Sequence, residues 1–146
     1  MQILCLSGGG FLGLYTASVL AELEAYSGRP IADHFDLLAG TSIGGIIALG
    51  LAARKPAADI RDAMIQHGPK IFRSKPPPKS EMAKKFHLAR NAVNAKYATS
   101  PLRKIVETLV DPSVTIGDLS HRVIVPAINL TKGRPQVFKT PHHPTF

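Results

Sequence analysis

A layered α/β domain built on a mainly parallel central sheet is predicted by three observations. Short apolar runs alternate with helix-length stretches in the order strand, helix, strand, helix, helix, loop, helix, strand, strand; such alternation favours parallel strands joined by crossover helices. The first two apolar runs each end in a glycine-rich turn that opens a helix. Apolar residues make up 45% and charged residues 19% of the 146 residues, a balance that can build a core and argues against a disordered chain.

The elements follow in order. Residues 2–6 form an apolar run that stops at Ser7-Gly8-Gly9-Gly10 and read as a buried strand. A helix is expected to run to about Tyr26. Leu12, Tyr15, Val19, Leu23 and Tyr26 share one face, and Ala17, Ser18, Ala21 and Ala25 form a small-residue face suited to close packing on a sheet. Gly28-Arg29-Pro30 ends it. Residues 35–39 form a second strand that leads into Gly40-Thr41-Ser42-Ile43-Gly44 and a small-residue helix over residues 45–53. Pro56 opens the next helix and Gly68-Pro69 is expected to close it. Residues 70–98 have poor periodicity and contain Pro76-Pro77-Pro78, so a mobile basic loop is expected there. Ser100-Pro101 is a helix start, with Leu102, Ile105, Val106 and Leu109 at amphipathic spacing and Asp111-Pro112 as the stop. Residues 122–130 and 136–139 read as strands joined by a turn at Thr131-Lys132-Gly133-Arg134, an antiparallel addition to the sheet.

Composition narrows the function classes. No Cys/His spacing suits a metal, and no cofactor is implied. The single cysteine, Cys5, lies in an apolar run and is expected to be a buried thiol in a reducing compartment. No secretory pattern opens the sequence and no run of ~18 apolar residues occurs. A cytoplasmic protein is expected, with at most peripheral membrane contact. The net charge of +8 is concentrated: residues 70–104 hold ten Lys or Arg and one acid, Glu81. Such a stretch suits an anionic membrane surface or is simply a solvated basic loop. Nucleic acid is disfavoured, because aromatic residues within it are sparse.

Two glycine turns carry the chemistry. Gly40-Thr41-Ser42-Ile43-Gly44 fits Gly-x-Ser-x-Gly between a strand and a helix. Glycine at 40 and 44 removes side chains that would collide at a sharp turn, and Ser42 then presents its hydroxyl at a helix N-terminus, where free amides favour negative charge. Gly8, Gly9 and Gly10 expose amides that can donate to an oxyanion or a phosphate. Gly8, Gly10 and Gly13 also satisfy Gly-x-Gly-x-x-Gly, so a nucleotide-binding module is a rival reading. It lacks the acid expected at the end of the second strand, since Asp33 and Asp36 stand at its start. A P-loop is excluded by the missing Gly-Lys-Ser/Thr. A Ser-His-Asp triad would need His142 or His143 in a proline-flanked tail, and His34, His67, His87 and His121 read as surface or capping residues.

The triplet Gly8-Gly9-Gly10-Phe11-Leu12-Gly13, followed by Phe35-Asp36-Leu37-Leu38-Ala39-Gly40-Thr41-Ser42-Ile43-Gly44-Gly45, resembles the patatin-like phospholipases. Weaker likeness continues through Ser100-Pro101-Leu102 and Val137-Phe138-Lys139-Thr140, so it spans essentially the whole chain. The resemblance implies a Ser-Asp dyad. Ser42 would be the nucleophile, the amides of Gly8, Gly9 and Gly10 the oxyanion hole, Gly40 and Gly44 the elbow glycines, and phospholipid or another acyl ester the substrate. Leu12 stands where many members carry Arg or Lys, and Ser7 where Asp is frequent. The family's Asp-Gly-Gly or Asp-Gly-Ala motif has no counterpart; Asp33, Asp36, Asp59, Asp62, Asp111 and Asp118 do not match it. The 146 residues are therefore expected to form the N-terminal part of one patatin-like catalytic domain, incomplete at its C-terminal side and prone to self-association at an open sheet edge. A purely lipid-binding fragment is the non-enzymatic alternative. The purified 146-residue chain is expected to lack dyad hydrolysis; robust Ser42-dependent cleavage of a fluorogenic ester by it would contradict this.

Overall fold

A computed structural model describes residues 1–72 and 99–141. Its strands are β1 (Ile3–Leu6), β2 (Leu37–Gly40), β3 (Val123–Asn129) and β4 (Arg134–Lys139). Its helices are α1 (Gly13–Ser27), α2 (Ile43–Ala52), α3 (Ala57–Ile71) and α4 (Thr99–Leu109). The sheet runs β1-β2-β3-β4. β1 pairs parallel with β2 and β2 with β3, while β4 returns antiparallel on β3. The α/β class and the mainly parallel sheet follow the sequence expectation. None of the helices among the described residues is long and apolar enough to cross a membrane.

Parallel crossovers that step in one direction place their helices on one face of the sheet. The register identifies that face. Leu4 aligns with Leu38, Leu6 with Gly40 and Leu38 with Val123, and Leu6, Leu38 and Val123 join the helices in the core. The alternate residues point the other way. There Ile3, Cys5, Ile128 and Val137 are exposed. The described residues thus supply one helical layer of the expected α/β/α arrangement. The expectation of a buried Cys5 fails for this reason, and because β1 is an edge strand.

α2 lies directly on the sheet. It is apolar all round, as an enclosed helix must be, and Ile43, Ile47, Ala48, Leu51 and Ala52 are buried. The other helices wrap around it. In α1 the packing face is the small one: Ala17, Leu20 and Ala21 are buried, while Leu12, Tyr15, Leu23 and Tyr26 are exposed. This face meets α3 and α2 rather than the sheet. A Cβ on Gly13 would lie 2.7 Å from Ile43 Cγ1, so glycine there brings α1 against α2. Gly28, at φ 65°, ends α1 with a left-handed cap and donates to the Glu24 carbonyl at 3.0 Å.

α3 continues through Pro69 to Ile71, past the stop expected at Gly68-Pro69. Pro69 stands in the last turn and removes only one helix bond. The Phe72 amide still donates to the Gly68 carbonyl at 2.9 Å, and buried Ile71 anchors the end. The expected loop over residues 70–98 therefore starts after Lys70 and Ile71, and from residue 73 it lies outside the described residues. α4 buries Ile105 and Leu109 as its spacing predicts.

Glycine is required differently at two turns. A Cβ on Gly44 would collide with the Leu6 carbonyl and lie 2.7 Å from the Ser7 oxygen. A Cβ on Gly28 would meet nothing within 4 Å, although its φ is 65°. Gly44→Ala is expected to cost about 3 kcal/mol or more, against about 1 kcal/mol for Gly28→Ala; urea denaturation of the two variants checks the order.

Candidate active site

β1 and β2 end level with each other, Leu6 opposite Gly40. The loops that leave them emerge together at the carboxyl edge of the parallel strands, where α/β sheets bind ligands. The Thr41 amide donates to the Leu6 carbonyl at 3.2 Å, and the Gly8 amide to Thr41 Oγ1 at 3.1 Å. The two glycine turns are thereby tied to each other. A Cβ on Gly8 would stand 3.2 Å from Ser42 Cβ, so the triplet loop runs directly beside the serine.

Ser42 has φ 54° and ψ −124°, a conformation rarely adopted by a residue with a side chain. Such strain costs about 1–3 kcal/mol. Burial of Ile43 and Ile47 just behind it contributes about 1.5–3 kcal/mol each, enough to hold the turn. No side chain fits at Gly40: a Cβ there would collide with the Gly44 carbonyl and lie 2.7 Å from the Gly45 nitrogen. The Gly45 and Ile46 amides donate to the Ser42 carbonyl at 3.0 and 3.2 Å and begin α2. The Ser42 side chain makes no capping hydrogen bond and is exposed.

Gly9 (φ 151°) and Gly10 (φ 60°) occupy backbone regions that favour glycine. Their amides, and that of Ile43, donate to no described residue. The Gly8 amide is already engaged by Thr41. Ile43 escaped the sequence reading because its contribution is a main-chain N–H, which any residue type carries; only its place directly after the serine marks it. Leu12, standing where a basic residue is frequent, is 75% exposed. The loop is held instead by Phe11, whose ring occupies the space left by Gly68: a Cβ there would lie 2.9 Å from Phe11 Cδ2.

A cavity of about 160 Å³ opens at Ser42, lined by Gly10, Ile43, Ile46, Ile71, Phe72 and Leu102. Among the described residues no charged side chain lines it. All six aspartates are described, and none reaches it. Asp33 pairs with Arg54, Asp36 accepts from the Gln2 amide at 2.5 Å, and Asp62 pairs with Arg61. Asp111 bonds Ser113 and Asp118 bonds Thr115. Hydrogen bonds from Arg54, Gln2, Ser113 and Thr115 hold Asp33, Asp36, Asp111 and Asp118 below the usual carboxylate range, which makes them poorer bases. His34 bonds Ser27; His87, His142 and His143 lie outside the described residues. Gly13, the third glycine of the dinucleotide-like pattern, is explained by the α1–α2 contact rather than by a phosphate.

A strained serine on a strand-to-helix elbow, beside a glycine loop with unengaged amides, is the arrangement of an α/β serine hydrolase. The chain belongs to the patatin-like phospholipase family, whose model matches residues 4–144. It is 49% identical over 145 residues to a cGAMP-activated phospholipase of Pseudomonas aeruginosa, covering 99% of this chain and 41% of that protein. It is 41% identical to a cGAMP-activated phospholipase of Vibrio cholerae, covering 100% of this chain and 43% of that protein. Patatin-like protein 1 of Oryza sativa subsp. indica is 34% identical, with 96% of this chain and 35% of that protein covered. The chain thus spans about two fifths of the length of the bacterial relatives.

At the opposite end of β2, His121 lies beside the Asp33–Arg54 pair, and Arg54 Nε donates to Ser120 Oγ at 3.3 Å. Its Nε2 is buried without a hydrogen-bond partner among the described residues. Burial, and next the Arg54 charge, hold its imidazole below the ordinary value of 6.5, against a smaller opposing pull from Asp33. As pH falls, the unfolded chain takes up this proton before the folded protein does. The stability it contributes is therefore present above about pH 6.5 and lost as pH drops toward the folded value. His121→Gln is expected to flatten the fall in urea midpoint between pH 8 and pH 5; equal slopes for wild type and variant would refute the assignment.

Proposed function

We propose that these 146 residues are the nucleophile-bearing N-terminal part of a patatin-like catalytic domain that hydrolyses acyl-ester lipids, with phospholipase A-type release of fatty acid. The observation that carries this reading is the strained elbow: Ser42 at φ 54° on the N-terminus of α2, opening on an apolar cavity. The exposed apolar face of the sheet and the two-fifths coverage of the bacterial relatives support the domain assignment.

In this reading Ser42 Oγ attacks the ester carbonyl carbon while its proton passes to an aspartate that this chain does not supply. The negative charge that develops on the carbonyl oxygen is met by the amides of Gly9, Gly10 and Ile43. Gly8 joins them when Thr41 Oγ1 turns away. Collapse breaks the ester C–O bond, and the departing lysolipid or alcohol takes the proton. Water, deprotonated by the same base, then attacks the acyl-Ser42 ester, releasing the fatty acid and restoring the hydroxyl. The apolar cavity takes the acyl chain. The basic excess over residues 70–104 supports peripheral contact with anionic membrane from the cytoplasmic side. Relatives named as cGAMP-activated phospholipases motivate the further reading that a cyclic dinucleotide governs the complete enzyme.

The test is a chimera in which these residues replace the matching part of the Pseudomonas aeruginosa relative. It is expected to hydrolyse phospholipid vesicles on addition of cGAMP, and Ser42→Ala is expected to lower the rate by at least ~10³-fold. A folded chimera that is inactive, or whose activity survives Ser42→Ala, would sink the proposal. Vesicle binding without hydrolysis would favour a lipid-binding role instead.

A further inference from the structure

Phe72 occupies a position that the proposed chemistry does not itself require. It follows α3 directly and is half-buried. One edge of its ring faces the glycine loop: a Cβ on Gly10 would stand 3.4 Å from Phe72 Cε1. The ring also meets Phe11, with centroids 6.0 Å apart and planes at 45°, a favourable tilted geometry. Phe11 is in turn seated against Gly68 on α3. The Phe72 ring therefore lies against the loop that flanks Ser42 and beside Phe11, and lines the cavity together with Ile71 and Leu102.

The volume makes that placement consequential. A cavity of about 160 Å³ is close to the ~150 Å³ apolar cavity that holds one benzene molecule. It accommodates roughly six carbons, far fewer than a membrane acyl chain contains. Among its lining residues, Gly10 and Ser42 belong to the reacting loops, and Ile43 and Ile46 are fixed on α2 against the sheet. Ile71 is buried in the core. Phe72 is the large lining side chain that stands after the end of α3, outside the regular elements.

We propose that Phe72 is the specificity-determining residue of this site: its ring sets how much of an acyl chain the cavity next to Ser42 encloses. The proposal rests on the reading of that cavity as the acyl pocket. Because the same ring supports Gly10, a change in overall rate would not separate the two roles. Dependence on chain length does, since support of the loop is the same for every acyl length.

The experiment is calorimetric titration of the purified chain with saturated fatty acids of increasing length, which needs no catalytic base. Affinity is expected to rise about fourfold for each added methylene, then to level off near roughly six carbons. Phe72→Ala is expected to move that break outward by at least about two carbons, and Phe72→Trp to move it inward. Phe72→Leu serves as the enlarging variant if Phe72→Ala does not fold, as judged by circular dichroism. An unmoved break in a folded variant, or no fatty-acid binding by the wild-type chain, overturns the proposal. The chimera assay separates this failure from failure of the hydrolase reading: Ser42-dependent hydrolysis with a chain-length profile unchanged by Phe72→Ala would remove the role of Phe72 alone.

Discussion

The carbonyl end of β1 meets the first turn of α2 with no room for a side chain between them. Gly44 packs on the Leu6 and Ser7 oxygens, and Gly40 packs on Gly44 itself. Everything at the candidate site depends on this contact. It forces the turn between β2 and α2 to be sharp, with Ser42 at φ 54° and exposed. The same contact places the glycine triplet beside the serine, because the loop leaving β1 starts at the residues against which Gly44 packs. The strain of one residue, about 1–3 kcal/mol, is small against the burial of α2, most of whose residues are buried.

The arrangement is one-sided in both packing and chemistry. Both parallel crossovers step in the same direction, so α1 to α4 gather over one face of the sheet and the core lies there. The opposite face carries exposed Ile3, Cys5, Ile128 and Val137. In the same way, the site has a poised hydroxyl and unengaged amides but no acid or imidazole along its cavity among the described residues. Each aspartate with a lowered pKa is drawn to a local partner instead: Arg54 for Asp33, Gln2 for Asp36, Ser113 for Asp111 and Thr115 for Asp118.

Aromatic packing joins the glycine loop to α3. The basic residue frequent in this loop is replaced by Leu12, which is exposed and closes only a backbone turn, its amide donating to Gly9. Phe11 seats on Gly68, and Phe72 lies against Phe11 and Gly10. This apolar clamp connects the loop to the C-terminal end of α3.

Much of this was legible in the sequence. Local signals are short-range, so the strand-turn-helix order, the elbow at Gly40 and Gly44, the placement of Ser42, the α4 stripe and the β3–β4 hairpin could all be read from residue type and spacing. What could not be read required knowing what each face would meet. The small-residue face of α1 was expected to pack on the sheet, and it packs instead on α3 and α2, with Gly13 brought against Ile43 by close approach to a helix distant in sequence. Cys5 lies in a run that reads as buried, yet its side of an edge strand is exposed. The Ile43 amide and the Phe11–Phe72 clamp carry no motif, because a main-chain donor has no side-chain signature and a ring contact joins residues 61 positions apart. The sequence by itself determined that Ser42 stands in a glycine-flanked turn between a strand and a helix. Only the tertiary structure decided which amides near it are left unengaged, which described residues line its cavity, and that no aspartate of this chain reaches it.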